Sequence, residues 1–425
     1  MREMKDSGIE WVGKIPKEWK ITKLQYLGDY INGYAFKPEQ WGDFGKPIIR
    51  IQDLTGSSEN PNYFSGKIDK KYLIKKGDIL ISWAATLDAY VWDREDSWLN
   101  QHIFKVEINK EYITKRYFYW LSKVIMENMN NDNKHGIMMQ HITKNVFDKY
   151  PAIVPNFDEQ NKISHYLDNK CAEIDSLSID IQQQISQLEE YKKSVITEAV
   201  TKGLNPDVEM KDSGIGYIGD IPWNFKVSKI KQICKKITDG THGTFNRVTE
   251  GRFFLSAKNV FNDGIHIDES KESCISEYDY QLIVSNGFPK KNDVLMCCVG
   301  TVGRATVYQF DEIYAFQRSV IFMRPNCKIL SKMLMYCLQS ETTIYQENLK
   351  INKTAQDGIY QNSVKELIIS FPEKIQDQEN IIDYLDDKCK EVESIIESKQ
   401  QQLSKLEEYK KSVIYEYVTG KKEVV

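Results

Sequence analysis

The chain has 425 residues, of which 41% are hydrophobic and 28% are charged, with a formal net charge of −4. These proportions are typical of folded proteins, and the length predicts two to four domains rather than one core. The sequence contains no apolar run of about 18 residues that would predict a membrane-spanning helix, and its first residues lack a signal-peptide core, so we expect a cytoplasmic protein.

The first predicted element is a short lead-in, EMKDSGIEWVGKIPKEW at residues 3–19, which returns as EMKDSGIGYIGDIPWNF at residues 209–225. Later segments recur in the same order, such as EQNKISHYLDNKC at 159–171 and DQENIIDYLDDKC at 377–389. Ordered repetition of this kind indicates a duplicated structural unit. We therefore predict a lead-in with a first globular domain at 1–155, a long helix at 156–203, a lead-in with a second globular domain at 204–371 and a second long helix at 372–425.

The globular segments have the pattern of mixed α/β domains. KPIIRIQDL at 46–54 and GDILISWAAT at 77–86 are short runs rich in β-formers, and RFFLSAKNV at 252–260 and NDVLMCCVGTVGRATVY at 292–308 are their counterparts. The glycines of GTVG at 300–303 predict a tight turn between two strands. The fold class expected from the whole pattern is α+β.

Both closing segments are predicted to be long helices. Apolar residues recur at three- and four-residue intervals, as at Ile174, Leu177 and Ile181, and no proline interrupts either run. Each helix would be roughly 65 Å long. A single helix cannot bury such a stripe, so we expect the two to pair as an antiparallel coiled coil, related by a pseudo-two-fold axis.

The ends of these helices carry one motif twice, LEEYKKSVI at 188–196 and again at 406–414. Packing explains why the apolar letters recur but leaves the charged ones unexplained. One hypothesis is that two identical surfaces bind two copies of one partner, and the alternative is a recent duplication that has not yet diverged. The candidate docking residues are Glu189, Glu190, Lys192, Lys193, Glu407, Glu408, Lys410 and Lys411.

Motifs of catalytic chemistry are lacking or out of context. GIGYIG at 214–219 fits the dinucleotide pattern but lacks the strand and helix that this pattern needs around it. PDVEMK at 206–211 has no room for the two strands of a metal-dependent nuclease site. The sequence has no P-loop, no consecutive prolines as in amino-methyltransferases, no C-x-x-C and no metal-binding histidine spacing. We expect no catalytic site, cofactor site or metal site in this chain.

The ordered repeats resemble one family, the specificity subunits of Type I restriction-modification enzymes. The resemblance rests on the lead-ins DSGIEWVGKIP and DSGIGYIGDIP, on the helix starts PNFDEQNKI and PEKIQDQENI, and on LEEYKKSVI-x-E-x-V-T at the helix ends. TDGTHGTF at 238–245 and GTVGR at 300–304 belong to the same signature. The resemblance covers essentially the whole chain.

The resemblance implies a non-catalytic subunit that recognises DNA and organises a complex. In that family two target-recognition domains each read half of a split DNA site and are held apart by two antiparallel helices. The helices dock two methyltransferase subunits, which carry S-adenosylmethionine and methylate adenine at N6, and up to two restriction subunits that use ATP and Mg²⁺ can join. SWAATLDAYVW at 82–92 differs from CCVGTVGRATVY at 297–308, so the two domains are expected to contact different half-sites.

Candidate base-contacting residues are polar or aromatic side chains of the globular domains. The two helical segments carry net charges of −4 and −3, which leaves about +3 for the remainder and favours the globular parts as the phosphate-facing surface. Arg and Lys suit guanine, Gln suits adenine, and aromatic rings can stack. In the first domain the candidates are Tyr34, Lys37, Arg50, Gln52, Trp83, Thr86, Tyr90, Gln101, His102, Gln140 and His141. In the second they are His242, Thr244, Arg247, Ser256, Lys258, Asn259, Thr301, Arg304, Gln317, Arg318 and Lys353, of which we favour His242 and Arg304.

Two other functions remain open at the level of the residues. The chain could be a self-contained DNA-modifying enzyme whose site follows no recognised motif. It could also be a coiled-coil scaffold with no role on DNA, which the acidic total charge favours.

Overall fold

The protein is described here by a computed structural model that covers residues 2–57, 60–134, 143–285, 287–351 and 358–424, with the side chains of 132–134 left out. The chain forms two compact units. Unit 1 comprises Met1–Ile181 and Gln401–Val425, and unit 2 comprises Gln182–Gln400. Each unit therefore combines one globular domain with parts of both long helices, an arrangement that is not contiguous in sequence.

The first globular domain and the helix that follows it begin with a short hairpin and continue through two small sheets. The strands are β1 Met4–Asp6, β2 Lys14–Pro16, β3 Lys20–Lys23, β4 Gly28–Asn32, β5 Lys46–Ile49, β6 Asn62–Phe64, β7 Leu73–Ile74, β8 Ile79–Ser82, β9 Asp88–Val91, β10 Ser97–Leu99, β11 Ile103–Ile108 and β12 Pro151–Val154. The helices are α1 Ile51–Leu54, α2 Lys115–Lys134, α3 Lys144–Lys149 and the long α4 Phe157–Lys202.

The second globular domain repeats the main elements of the first, with one strand fewer and two helices more among the described residues. Its strands are β13 Met210–Asp212, β14 Asp220–Pro222, β15 Phe225–Lys229, β16 Cys234–Asp239, β17 Arg252–Leu255, β18 Cys274–Ile275, β19 Val294–Cys297, β20 Ala305–Val307, β21 Ala315–Phe316, β22 Val320–Pro325 and β23 Ile368–Pro372. Its helices are α5 Ile230–Ile233, α6 Glu277–Val284, α7 Ser331–Gln339, α8 Glu341–Lys350, α9 Gln361–Lys365 and the long α10 Ile375–Val418.

The antiparallel sheets have the same topology in both domains, and the other sheets, of four and three strands, share one parallel pair. In the first, an antiparallel sheet has the order β4-β11-β8-β9, and a second sheet joins β5 and β10 in parallel. In the second, the antiparallel order is β16-β22-β19-β20, and β17 pairs with β21 in parallel. The sequence repeat therefore corresponds to a repeated pattern of strand pairing. The expected α+β fold class is confirmed.

The long helices pack against each other in opposite directions within each unit. In unit 1 the Tyr166 and Tyr417 rings lie 4.3 Å apart, and nine residues further along α4 the Asp175 carboxylate accepts from the Lys410 ammonium at 2.5 Å. Numbers rise along α4 as they fall along α10, which confirms the antiparallel pairing. In unit 2 Gln184 of α4 accepts from Lys399 of α10 at 2.5 Å.

A buried glutamine ties the start of each long helix to its domain. The Gln160 amide donates to the carbonyls of Tyr112 and Pro155, both at 3.0 Å, and accepts from the Thr114 N–H at 2.7 Å. Gln378 makes the same three bonds in unit 2, to Lys328, Pro372 and Leu330, each at 2.9 Å. Because all the polar atoms of the amide are used, these buried side chains fix the direction in which each helix leaves its domain.

The lead-ins contact the C-terminal ends of the long helices. In unit 1 the Tyr415 hydroxyl donates to the Trp11 carbonyl at 2.7 Å, and the Lys421 ammonium donates to the Val12 carbonyl at 2.5 Å. In unit 2 the Lys202 ammonium donates to the Asp220 carbonyl. Helices commonly carry cationic side chains near their C-terminal ends, where backbone carbonyls lack partners within the helix. Here side chains at the end of each long helix bind carbonyl groups of one lead-in.

Each unit has its own main core. In unit 1 the core joins Ile81 of β8, Phe118 of α2, Leu167 of α4 and Val418 of α10. In unit 2 Met296 of β19, Leu334 of α7, Val200 of α4 and Leu385 of α10 have the same roles. The helices are therefore part of the hydrophobic core of each domain, which makes the domain and its helical support one packed body within each unit.

Candidate nucleic-acid interface

Four backbone segments of the first domain meet at one edge of its sheets. The central segment is 99–102, between β10 and β11: Asn100 N–H donates to the Ile49 carbonyl at 3.1 Å, and Gln101 N–H donates to the Tyr34 carbonyl at 2.9 Å. Trp83 N–H donates to the His102 carbonyl at 3.1 Å. Residues 33–37, 50–52, 83–88 and 99–102 together are called recognition edge 1.

The second domain builds the same edge with other side chains. Gln317 N–H donates to the Leu255 carbonyl at 2.9 Å, Arg318 N–H donates to the Thr241 carbonyl at 3.0 Å, and Cys298 N–H donates to the Ser319 carbonyl at 2.9 Å. Residues 240–244, 256–258, 298–304 and 316–319 form recognition edge 2. The hydrogen bonds match one for one, so residues 34, 83, 100, 101 and 102 correspond to 241, 298, 317, 318 and 319.

A glycine makes each edge possible. A Cβ atom on Gly33 would lie 1.8 Å from the Asn100 carbonyl oxygen, and one on Gly240 would lie 2.2 Å from the Gln317 carbonyl oxygen. Any side chain at either position would push the central segment away from its neighbour. The glycines thus allow two backbone segments to approach closely in each domain, and this approach does not depend on which side chains the neighbouring residues carry.

Most of the candidate base-contacting residues lie on these edges. The edge positions are Tyr34, Lys37, Arg50, Gln52, Trp83, Thr86, Gln101 and His102 in the first domain, and His242, Thr244, Ser256, Lys258, Thr301, Arg304, Gln317 and Arg318 in the second. Tyr90 lies away from the edge, half-buried within β9, where burial raises its pKa to about 12. The Arg247 guanidinium lies over the Phe254 ring at 4.4 Å, also outside the edge. Gln140, His141 and Lys353 fall outside the described residues.

Asn259 requires a correction, because the structure makes it a core residue. Its side chain is 2% exposed, accepts from the Ser256 N–H at 3.0 Å and donates to Glu272 at 2.6 Å and to the His266 carbonyl at 3.1 Å. Asp53 occupies the matching position in the first domain, where it accepts from the Arg50 N–H at 2.8 Å. Both residues cap the turn after a strand, so Asn259 has no polar atom left to contact a base.

The turn after β8, residues 83–87, and the turn after β19, residues 298–303, are called the reading turns, and they differ in length and in the charge beside them. In the first domain Ser82 of β8 pairs with Asp88 across the turn. In the second domain its counterpart Cys297 donates its N–H to the Arg304 carbonyl at 2.8 Å. Asp88 and Arg304 therefore occupy matching positions, with one more residue in the second turn. The Asp88 carboxylate is ion-paired with Lys123 at 2.8 Å, while the Arg304 guanidinium lies 4.9 Å from the Phe261 ring.

Recognition edge 2 opens onto a cleft of about 460 Å³ in unit 2. Polar side chains line it, among them Asp239, His242, Gln317, Arg318 and Gln361. The imidazole of His242 is held by the Asp239 carboxylate at 2.6 Å and is otherwise exposed. The cleft thus offers donors, acceptors and aromatic surface of the kind that bind base edges.

A buried carboxyl group lies beneath the second reading turn. Glu347 of α8 is 2% exposed, and its Oε2 lies 2.4 Å from where a Cβ on Gly303 would be. Burial raises its pKa to about 8, and its Oε1 has no hydrogen-bond partner among the described residues. A neutral carboxyl packed against the turn is the state that this environment favours near neutral pH.

Other charged candidates on the edges are partly compensated. Lys258 is ion-paired at 2.9 Å with Glu272, which is 5% exposed. The Arg50 guanidinium lies 5.5 Å from the Trp41 ring and 3.7 Å from Asp53. These contacts restrict both side chains and reduce the charge they present to a ligand.

The candidate docking residues divide into two kinds. Lys192 is ion-paired with Glu393, and Lys410 is ion-paired with Asp175 at 2.5 Å. Since residues 192 and 175 correspond to 410 and 393, the duplication repeats one interhelical ion pair, and the identity of the two lysines has a structural cause. Four acidic members are exposed on the helix surfaces: Glu189, Glu190, Glu407 and Glu408. Lys193 is also exposed, and Lys411 contacts Glu127 of α2 at 3.1 Å.

The sequence analysis did not identify the buried polar residues that support the two edges and the long helices. The paired caps Asp53 and Asn259 and the helix anchors Gln160 and Gln378 were all visible as polar residues at matching positions of the repeat. Gln160 and Gln378 recur within EQNKI and DQENI, where a buried polar residue explains recurrence better than an exposed one. Comparing the two copies position by position would have found them.

Within the described ranges, no cluster of His, Cys, Asp or Glu is arranged to hold a metal ion. No helix among those residues combines the length and the apolar character that crossing a membrane requires. The cysteines are free thiols, buried except for the partly exposed Cys234 and the exposed Cys327.

The chain matches one protein-family model over both copies of its repeat. The model, described as the Type I restriction modification DNA specificity domain, matches residues 16–187 and 222–408. The EcoBI specificity subunit of Escherichia coli, a Type I restriction enzyme subunit, is 23% identical over 396 residues, which cover 90% of this chain and 81% of that protein. The MjaVIII specificity subunit of Methanocaldococcus jannaschii is 22% identical over 421 residues, which cover 96% and 94% of the two chains.

A solved structure shares the fold. It comes from work on complex assembly and conformational transition of the type I R-M system, with a TM-score of 0.65 and 14% identity. The superposition covers 95% of this chain and 98% of that one. At this identity the similarity supports the architecture, while the family match supports the class of protein.

Proposed function

The chain belongs to the Type I restriction-modification DNA specificity family, and from this premise we propose that its two recognition edges read the two halves of one bipartite DNA site. A specificity subunit recognises a DNA sequence. The observation that carries the proposal is that one chain holds two edges with matching backbones and different side chains. Matching backbones present side chains to a duplex in the same way, and different side chains select different bases.

The proposed role is recognition and assembly, with the chemistry on partner subunits. Two methyltransferase subunits would bring S-adenosylmethionine and methylate adenine at N6, and up to two restriction subunits would bring ATP and Mg²⁺. The chain itself would bind neither cofactor. Because the substrate is DNA, we place its action in the cytoplasm.

The repeated helix ends are the proposed methyltransferase docking surfaces. Glu189, Glu190 and Lys193 are exposed in unit 2, and Glu407 and Glu408 are exposed in unit 1. The flanking Tyr191 and Tyr409 are also exposed, at 53% and 48%. Repeated acidic groups beside a repeated tyrosine form two equivalent amphipathic patches, which suits two copies of one partner.

The long helices would set the distance between half-sites. Helices of 46 and 44 residues correspond to lengths of roughly 65 to 70 Å. Two readers on one face of B-DNA are most easily placed one helical turn apart, at about 34 Å between centres. A paired helical strut can fix such a spacing, whereas a flexible linker cannot.

The proposal is tested by reconstituting the chain with its methyltransferase subunit and selecting bound duplexes from a randomised pool. We expect a split motif, and we expect the chain alone, given DNA, Mg²⁺ and S-adenosylmethionine, to transfer no methyl group. Recovery of no motif by the complex, or methyl transfer by the chain alone, would contradict the proposal.

A further inference from the structure

We propose that residues 101 and 318 are a matched pair of specificity determinants, in which Gln101 reads adenine in one half-site and Arg318 reads guanine in the other. This inference rests on the proposed function and adds to it the positions and the bases. It follows from the backbone equivalence of the two edges and from the state of the Arg318 side chain.

The two residues occupy one position in two copies of the same structure. Gln101 N–H donates to the Tyr34 carbonyl at 2.9 Å, and Arg318 N–H donates to the Thr241 carbonyl at 3.0 Å. Each follows the residue whose carbonyl contacts the glycine at 33 or 240. The backbone therefore enters both positions in the same way, and the side chains start from matching Cα atoms. The conformations differ at the next residue, since φ is 73° at His102 and is not positive at Ser319.

The backbone at Arg318 is held from both sides. Its carbonyl accepts from the Cys298 thiol at 3.2 Å, and burial raises the pKa of that thiol to about 12, so the sulfur keeps its proton as a donor. A fixed backbone beneath a long side chain lowers the ordering cost when that side chain binds a ligand.

The Arg318 guanidinium has no ion pair and no hydrogen bond among the residues that the structure describes. Two other arginines of the second domain are bound to acids: Arg324 binds Asp293 through two bonds of 2.8 Å, and Arg252 binds Glu277 and Glu312, each at 2.8 Å. Arg318 is exposed and lines the cleft. An uncommitted cation in a polar cleft is available to an external acceptor.

The cleft favours a base edge over a phosphate as that acceptor. Asp239 lines the same cleft, and its carboxylate would repel the full negative charge of a phosphate group more strongly than a neutral base edge. The planar fork of arginine donates two parallel bonds to O6 and N7 of guanine. The glutamine amide instead accepts from N6 and donates to N7 of adenine.

The test uses the complete complex with methyltransferase subunits, and the probe is a pool of duplexes randomised over both half-sites. Arg318→Gln should remove the guanine requirement at one position of one half-site and replace it with a preference for adenine. Discrimination for guanine at that position should fall by roughly 10- to 100-fold, the range typical of one bidentate contact. Gln101→Arg should make the reciprocal change in the other half-site only.

Matched controls come from exposed residues of the same type outside the edges. Arg252→Gln and Gln25→Arg should leave both half-sites unchanged. Arg318→Ala provides a second variant without a new contact, and it should lose the guanine requirement and gain nothing. Assembly of each variant with the methyltransferase is measured by size-exclusion chromatography before selection.

The outcomes separate this inference from the proposed function. If the wild-type complex selects a split motif that both variants leave unchanged, the inference is overturned and the proposed function stands. If Arg318→Gln weakens binding equally for all sequences, Arg318 contacts the DNA backbone and the inference is overturned. If the wild-type complex selects no motif at all, the proposed function itself fails.

Discussion

At the scale of single residues, the repeated lysines of the long helices hold the helix pair together. The ion pairs Lys192–Glu393 and Lys410–Asp175 occupy equivalent positions in the two copies of the repeat. The first is more buried, since its side chains are 19% and 37% exposed, against 31% and 55% for the second. Solvent screens the more exposed pair more strongly.

A double-mutant cycle on each pair measures this contribution. We expect Lys192→Ala with Glu393→Ala to show a coupling free energy of up to about 1 kcal/mol and the 410–175 pair to show less. Urea unfolding of the four variants of each cycle gives the values. Zero coupling in both cycles would mean that the interhelical ion pairs do not explain why the lysines are repeated.

Arg304 is expected to contribute to binding without supporting the fold. Arg304 directly follows the second reading turn, and its guanidinium lies over the Phe261 ring. Arg304→Ala should therefore weaken specific DNA binding by about 1–3 kcal/mol and leave assembly with the methyltransferase intact. Competition binding with specific and non-specific duplexes measures the effect. Lys291→Ala, in the same domain and ion-paired with Asp311, is the matched control, and equal discrimination in the two variants would remove Arg304 from the interface.

At the scale of single residues, position was predictable and role was not. The glycine-rich sequence placed His242 and Arg304 on loops, whose backbones allow close approach, and their contact with DNA stays a prediction. Asn259 was misassigned because a polar residue after a strand has the same local pattern whether it caps a buried turn or faces solvent. Its burial depends on Glu272 and His266, which become neighbours only on folding.

At the scale of elements, the attachment of each long helix to its domain depends on a buried glutamine in its first turn. Gln378 is fully buried and makes three hydrogen bonds to its domain. Gln378→Ala should lower the free energy of unfolding by about 2–4 kcal/mol, because it leaves buried backbone groups without partners.

Chemical unfolding compared with Gln402→Ala tests this role. Gln402 is exposed on the same helix, so its replacement should change stability by about 0.5 kcal/mol or less. An equal and small loss in both variants would show that Gln378 does not anchor the helix.

The buried acid of α8 makes the stability of unit 2 depend on pH. The folded pKa of Glu347 is about 8, above its ordinary value of 4.5, so the folded state binds the proton more tightly than the unfolded chain. The associated stability is present below pH 4.5 and is lost as pH rises to 8. Glu347→Gln should therefore stabilise the protein, with a gain that grows over this window to a few kcal/mol.

Thermal unfolding of wild type and Glu347→Gln across that range checks the prediction. Glu341→Gln, on the exposed first turn of the same helix, should show no comparable gain. A constant difference between wild type and Glu347→Gln at all pH values would mean that the carboxyl does not titrate in this window.

The types of the main elements and the antiparallel pairing of the long helices were predictable, whereas the pairing of the strands was not. Apolar spacing and missing prolines define the helices, which run over Phe157–Lys202 and Ile375–Val418. The parallel pairing of β5 with β10 joins residues 50 positions apart, as at Ile48 and Trp98. Such contacts depend on tertiary packing and have no local sequence signal.

At the scale of the whole molecule, the duplicated chain offers matched places to change the helices. Insertion of one heptad after Gln183 in α4 and one after Gln401 in α10 keeps the interhelical pattern and lengthens each helix by about 10 Å. The selected motif should then keep both half-sites and gain about three base pairs between them.

A heptad-length insertion in the exposed loop at residues 65–67 is the control and should leave the gap unchanged. An unchanged gap with lengthened helices, in a complex that still binds DNA, would show that the helices do not set the spacing.

Whole-chain organisation was predictable in order but not in grouping. The repeats give the sequence of lead-in, domain and helix. They do not reveal that the last turns of α10 belong to unit 1, where Val418 joins the core formed around Phe118. That grouping arises because the end of α10 contacts the first lead-in, at residues 3–19, whereas the end of α4 contacts the lead-in that directly follows it.

The central claim, that this chain makes methylation specific for a bipartite site through two dissimilar edges, is tested most directly by mapping methylated adenines genome-wide. The comparison is between host cells with and without the chain, in the presence of its methyltransferase. We predict a split motif that appears only with the chain. The same methylation pattern in both strains, or a single uninterrupted motif, would contradict the claim.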